Sequence, residues 1–551
     1  MEQSRQTTVY PARRILTMSP RAPEADAIAI RAGRVLAVGS LEDVLAWSDG
    51  GHVDRRFEDC VLMPGLVEGH AHTLEGGFWD YPYVGYYDRV APDGVLWGGL
   101  TSIEDVVERL RAEERKLEDP TTPLFTWGFD PILFGGRRMT TDDLDAVATT
   151  RPIVVLHASI HSMNTNSAGL AAAGLDRDSE LDGMLRHDSG APTGELAEFA
   201  AMFLVFDALG IDLFGLGSSQ RAVENYGRVA NIKGVTTITD LINDLTPATV
   251  SAFKAVTDRE DCPIRLIPAL NGLSTAPDKA VARMRELAGA NTSRLRFQMV
   301  KLMTDGAIQG YTARLNWPGY FDGHPNGIWN TTPEQLAHAI DTLHDAGLQL
   351  HIHTNGDEAS DLTLDLLQAA LARNPRPGHR HTLQHAQLVG PAQVRRMREL
   401  GCCVNLFANH LYYWGDIHLS HTLGPDRARR MDAVGTALHY GVPAAIHCDA
   451  PVTPLSPFFT AWCAVNRQTS GRQILGEGER IGVRAALEMI TLGAAYTLQM
   501  DDEIGSLETG KRADVAVLED DPETLGSERL HEVRVRGTLR GGQWFPAPGS
   551  S

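Results

Sequence analysis

Side chains able to hold a metal ion recur along this sequence at the ends of short apolar runs. Residues 67–72 read V-E-G-H-A-H. Alternation along a strand sends His70 and His72 to one face, which makes a two-pronged imidazole claw. An isolated H-x-H is more often chance than a site, so the later runs carry the weight. V-K-L-M-T-D-G places Lys301 inside an apolar stretch, where an amine is rarely buried without a partner or a chemical task. L-Q-L-H-I-H-T-N-G-D puts His351 and His353 on one face, Q-H-A-Q supplies His385, and H-C-D-A-P-V supplies Asp449. His70, His72, Lys301, His353, His385 and Asp449 thus arrive at the ends of separate runs. Imidazoles, a carboxylate and an amine gathered this way form a donor set for divalent cations.

Elements must bring these residues together. β-branched runs alternate with helical segments such as T-P-E-Q-L-A-H-A-I-D-T-L-H-D-A-G, which carries its own glycine stop. Eight such runs, the first V-L-M-P-G-L-V-E-G-H-A-H from Val61 and the last V-P-A-A-I-H-C-D-A-P-V from Val442, predict a (β/α)8 barrel. The competing architecture is a doubly wound open sheet. In a barrel, the claw and its companions would face the lumen at the end where active sites gather. Alternating hairpin patterns near Ala27, Ala513 and Val533 predict a small β-sandwich built from both chain termini, the competing reading being two independent edge hairpins. The expected organisation is therefore 1–64 with 502–551 as the sandwich and 65–501 as the barrel, with an insertion at 80–225 after the first barrel strand. An insertion there would be well placed to shape a substrate pocket.

Bulk properties exclude several functions. The 551 residues contain 70 acids against 50 bases, a net charge of −20, which disfavours nucleic acid and anionic membranes as partners. No apolar run reaches about 18 residues, so no spanning helix is expected. Six cysteines without C-x-x-C spacing read as buried thiols of a cytoplasmic protein. A small-molecule substrate is expected, and a homo-oligomer is compatible with the chain.

The ordered motifs resemble the amidohydrolase superfamily, and within it the YtcJ-like (amidohydrolase 3) branch. They are P-G-L-V-E-G-H-A-H, N-S-A-G-L, P-T-G-E-L-A-E, K-L-M-T-D-G, H-T-N-G-D, Q-H-A-Q, D-A-P-V, G-A-A-Y-T-L and G-S-L-E-T-G-K-R-A-D-V-A-V-L, and they span nearly the whole chain. The resemblance implies that His70, His72 and Asp449 hold one divalent ion and that His353 and His385 hold a second. Lys301, carboxylated on its amine, would bridge them. Zinc suits this nitrogen and oxygen set, with manganese, iron or cobalt as substitutes. A hydroxide held by the metals would attack an amide-type C–N centre, with Asp449 as general base and then general acid. The same barrel also supports lactone or carbamate hydrolysis, isomerisation, decarboxylation or, with ligands lost, a non-catalytic scaffold. Gln384 stands where the family more usually has glutamate. His351 and His381 read as core or supporting histidines, and Cys448 as a packed thiol.

Substrate contacts are expected from His410 and Trp414 in A-N-H-L-Y-Y-W, from Arg314 in G-Y-T-A-R-L, and from Trp79 and His161 in the insertion. The aromatic character of these segments points to an apolar or aryl group on the substrate.

Overall fold

A computed structural model describes residues 6–135 and 137–548. The β-branched runs between Leu66 and Ile446 form parallel strands β1 (Leu66–Glu68), β2 (Val235–Asn243), β3 (Arg265–Asn271), β4 (Met299–Met303), β5 (Gln349–Thr354), β6 (Thr382–His385), β7 (Cys403–Leu406) and β8 (Ala444–Ile446). Each pairs in parallel with the next around the sheet. Just past the outer strands, the amide of His72 donates to the Ala450 carbonyl at 2.8 Å, so the sheet curls until its first and last segments meet. This is the (β/α)8 barrel that the alternation predicts.

Local chemistry sets the connecting helices. Thr332 caps Pro333–Asp345 by accepting from the Gln335 amide, and Gln335 returns the bond, a cap that contributes about 1 kcal/mol. Leu336, Ile340 and Leu343 recur at helical spacing and are buried, and Gly347 ends the turn at φ +86°. Val67, Ile267, Met299 and Ala445 pack with Ala494 and Leu498, so the G-A-A-Y-T-L segment contributes to the barrel core. Gly493 permits this approach: a Cβ there would lie 2.4 Å from the Ala444 carbonyl oxygen.

Both chain ends build the β-sandwich. Thr8–Leu16, Glu24–Arg31, Arg34–Gly39 and Val61–Pro64 join Val515–Leu518, Val535–Arg540 and Gln543–Pro546 in one hydrogen-bonded path, curled over a shared core containing Tyr10, Ile28, Leu62, Val515 and Leu539. The apolar run beginning at Val61 therefore divides at Gly65. Its first half pairs with Val515–Leu518, and only its second half enters the barrel. A side chain at Gly65 would sit 2.1 Å from Thr236 Oγ1, so the chain crosses between the two sheets where only glycine fits. The buried Arg265–Asp514 ion pair, at 2.8 Å, ties sandwich to barrel.

Residues Thr73–Val229 with Pro451–Pro454 form a separate compact unit. Its sheet runs Met184–Arg186, Pro192–Ala197, Ser162–Thr165, Ile153–His157, Leu124–Phe129, with only the last two parallel. Val154 and Leu156 pack on one face and Ile153 and Val155 on the other. Coverage of both faces explains the unbroken apolar run P-I-V-V-L-H. No helix among the described residues is long and apolar enough to cross a membrane.

Candidate metal centre

Parallel register carries the chemistry-bearing residues to the C-terminal ends of the strands. His70 and His72 lie just beyond β1, where their rings are 5.5 Å apart and near perpendicular. Nε2 of each reaches Asp449 Oδ1 at 3.3 Å. Lys301 on β4 brings its Nζ to 3.5 Å from His70 Nε2. The His385 ring is 4.5 Å from His70 and 4.6 Å from His353. All six expected residues are thus gathered at one place.

His385 reaches it by an unusual backbone. Gln384 and His385 are adjacent on β6, so strict alternation would send one of them out of the lumen. His385 and Ala386 instead adopt φ of +65° and +46°, and Asp449 adopts +56°. Left-handed backbone at non-glycine residues is strained, and such strain concentrates at functional sites.

One histidine joins them that the sequence reading passed over. His447 is fully buried, stacks on His70 at 4.6 Å and 14°, and lies 5.0 Å from His385. Its donors lie close to those of His70 and His385, just as those of His70, His72 and Asp449 lie close to one another. The missed signal was H-C-D: His447 and Asp449 have the same i, i+2 spacing that marked His70 and His72.

Hydrogen bonds define which nitrogens are free to act. Gln384 Oε1, an acceptor, lies 2.7 Å from His70 Nδ1, which therefore carries the hydrogen and leaves Nε2 with its lone pair toward Asp449. The Gln384 amide nitrogen donates to His351 Nδ1 at 2.6 Å, so one glutamine orients both imidazoles. A neutral amide does this where a glutamate would add negative charge. Cys448 donates its thiol to Glu68 Oε2 at 3.1 Å, and Glu68 also accepts from the His70 amide. Burial raises the Glu68 carboxyl to about 8. Cys448 is thus a packed thiol, and every cysteine of the chain is a buried free thiol.

Burial also pushes Lys301 down to about 7, with Asp449 opposing. A neutral amine is the form that reacts with carbon dioxide. Burial drives His70 and His385 well below the ordinary imidazole range, and His447 to about 3, so all three are neutral and able to ligate. Burial would raise the Asp449 carboxyl, but the neighbouring His72 side chain, its Nε2 3.3 Å from Oδ1, holds it below the usual value. Among the described residues, His72 Nδ1, His385 Nδ1, both His447 nitrogens and Asp449 Oδ1 are buried without a hydrogen-bond partner. Unpaired lone pairs packed this densely are destabilising in an empty protein, and a divalent cation would satisfy them. The donor set fits a metal.

The expected substrate contacts divide. His410 and Trp414 are buried beside the same end of the barrel, with rings 4.5 Å apart. Phe407 packs against His410 at 5.2 Å and His447 at 4.9 Å, linking them to the histidine cluster. Arg314 pairs with Glu358 at 2.9 Å, donates to the Gly327 carbonyl and lies 4.7 Å from the Trp329 ring. Its guanidinium therefore holds the loop after β4. Trp79 and His161 belong to the separate unit. There Trp79 donates to Glu75 and packs on Trp127, while His161 faces Glu198 at 3.2 Å.

Eight parallel strands that focus imidazoles, a lysine and an aspartate on one rim define the class of metal-dependent hydrolases built on this barrel. Residues 58–545 match the amidohydrolase family, to which the chain belongs. It is 24% identical over 96% of its length to the putative amidohydrolase YtcJ of Bacillus subtilis, covering 97% of that protein. It is 26% identical to the N-substituted formamide deformylase of Arthrobacter pascens, over 95% of each chain. Among solved structures, a metal-dependent hydrolase from Pyrococcus horikoshii covers 95% of this chain and is itself covered to 99%, with a TM-score of 0.71 and 20% identity.

Proposed function

We propose that the protein hydrolyses an amide-type C–N bond of a small substrate bearing an apolar or aromatic group. The observation that carries this reading is the meeting of His70 Nε2 and His72 Nε2 on Asp449 Oδ1, an oxygen left without a hydrogen-bond donor. Similarity to a protein named for deformylating N-substituted formamides supports the bond type.

His70, His72 and Asp449 would hold one divalent ion, His353 and His385 a second, and Lys301 as its carbamate would contribute oxygens to both. His447 stands ready as a further nitrogen donor beside His385. Zinc is the metal that suits these donors. When bound, the metals supply Lewis acidity toward the scissile carbonyl and toward water. The remaining steps belong to the chain. Asp449, strained and held as carboxylate, takes a proton from the attacking water and delivers it to the departing nitrogen. Gln384 keeps the His70 lone pair directed inward. Lys301, whose amine burial brings down to about 7, can combine with carbon dioxide to form a carbamate, an anionic two-oxygen group, with release of one proton.

The test is turnover of zinc-loaded protein on N-aryl and N-alkyl formamides and acetamides, with carbamates and lactones alongside. Amide cleavage that Asp449→Asn abolishes while metal content persists is the expected result. Cleavage of lactones alone, or of nothing, overturns the reading.

A further inference from the structure

A second group of histidines lies beyond β7. Helix Asn409–Ile417 runs directly into a π-turn, His418–Thr422. Such turns are rare within helices and recur where a side chain is re-aimed for function. Here the π-turn belongs to the segment that stacks His418 on His410, centroids 4.9 Å apart and planes within 7°. His418 Nε2 is 3.1 Å from His410 Nδ1, and His418 Nδ1 is 2.5 Å from Thr422 Oγ1. At the other end, His410 Nε2 is 3.1 Å from Gln309 Oε1. His410, His418 and Thr422 are buried, whereas Gln309 is partly exposed.

This chain has a direction. An amide oxygen only accepts, so His410 carries its hydrogen on Nε2 and has a bare Nδ1. His418 must then donate through Nε2–H, which leaves its Nδ1 to accept the Thr422 hydroxyl. Burial lowers both imidazoles, His418 to about 3, so neutral rings persist through the working pH range. Each member thereby determines the tautomer of the next.

We propose that His410 is the hydrogen-bond donor to the scissile carbonyl oxygen, and that His418 and Thr422 are positioning residues that lock its Nε2–H tautomer. The Gln309 carboxamide oxygen is chemically equivalent to a substrate amide oxygen, and substrate takes its place on binding. A neutral donor suits this task, because it can stabilise negative charge developing on that oxygen without surrendering a proton. The assignment rests on the hydrolytic reading for its acceptor, but not for its tautomer.

The experiment uses zinc-loaded protein with ¹⁵N-labelled histidine, in which long-range ¹H–¹⁵N correlations report each ring tautomer and His410→Gln assigns the signal. Wild type is expected to show Nε2–H at His410. Thr422→Val, nearly isosteric, and His418→Phe should mix in Nδ1–H, and Thr422→Ser should restore the lock. With N-(4-nitrophenyl)formamide as probe, kcat should fall about 100-fold in His410→Phe and about 10-fold in Thr422→Val, KM changing little. Recovery is expected in Thr422→Ser. An Nδ1–H tautomer in wild type, or one indifferent to both Thr422→Val and His418→Phe, overturns the lock. Wild type that cleaves no amide defeats the hydrolytic reading and the carbonyl acceptor, while the spectra still decide the lock.

Discussion

The barrel buries histidines at both ends of its strands, and the two groups are built on opposite rules. At the N-terminal end, His344, His379 and His381 use every ring nitrogen. His379 accepts from the His381 amide and donates to the Leu400 carbonyl, at 2.9 and 2.8 Å. His381 accepts from the Leu350 amide at 3.1 Å and meets His344 Nδ1 at 2.9 Å, and His344 Nε2 donates to the Asn374 carbonyl at 2.8 Å. Each proton position follows from the next partner, and burial lowers His379 and His381 below the ordinary imidazole range. At the C-terminal end, His72, His385 and His447 bury nitrogens that nothing in the described chain satisfies. Ring nitrogens buried in the same residue type therefore separate scaffold from chemistry by hydrogen-bond completeness, in keeping with the division between stability and catalysis at the two faces of such barrels.

The comparison breaks most visibly at Asp449. Asp449→Asn keeps the volume and one acceptor oxygen but removes the base, so turnover of whichever amide the screen identifies should fall about 10²–10⁴-fold. Thermal melting of the variant should stay near wild type. A rate within a few-fold of wild type would end the general-base assignment. Lys301→Ala should act next most strongly, through metal content read by elemental analysis. A small carboxylic acid added to the variant should restore part of both metal and activity, since it replaces the oxygens of a carbamate. Full occupancy without that addition would exclude the bridge.

At the opposite end the response should be purely structural. His381→Phe removes the acceptor for the Leu350 amide and the donor for His344, leaving two buried polar groups unmatched. Each such loss is worth about 1–3 kcal/mol, so the urea midpoint should drop clearly. Metal content and kcat measured below the transition should match wild type. A loss of metal in this variant would show that the two clusters are coupled and that the division drawn above is false.

Much of this was legible from residue type and spacing. The barrel followed from β-branched runs alternating with capped helices, and the convergence of six residues on one rim from their place at strand ends. Other features depended on backbone geometry that spacing does not encode. Only the left-handed φ of His385 lets it share the lumen with Gln384, and the division of the Val61 run at Gly65 depends on the approach of Thr236. The His410–His418 stack was hidden for a similar reason, since eight residues of regular helix would hold the two positions about 12 Å apart along the axis. The mixed sheet of the Thr73–Val229 unit was unreadable because burial on both faces erases alternation. Arg314 leaves two readings side by side, a substrate anchor and a salt-bridge partner; in the structure it pairs with Glu358 and lies 4.7 Å from the Trp329 ring.

The smallest effect separates the clusters by pH. Burial lowers His381 well below the ordinary imidazole range and lowers His379 in the same direction. In the unfolded chain these rings titrate near their ordinary value of about 6.5. Above that value both states bind the same number of protons, and the contribution to stability is at its plateau. As pH falls below about 6.5, the unfolded chain takes up protons that the folded rings refuse, and stability declines. Between pH 7.5 and 6 the loss should be at most about 1 kcal/mol for each ring. Urea midpoints measured across that interval on zinc-loaded protein would resolve it. A His379→Gln, His381→Gln double variant should be less stable overall yet show a flatter pH slope. An unchanged slope would mean that these rings are not the proton-linked groups, and that complete hydrogen bonding at the lower face does not by itself keep a histidine neutral.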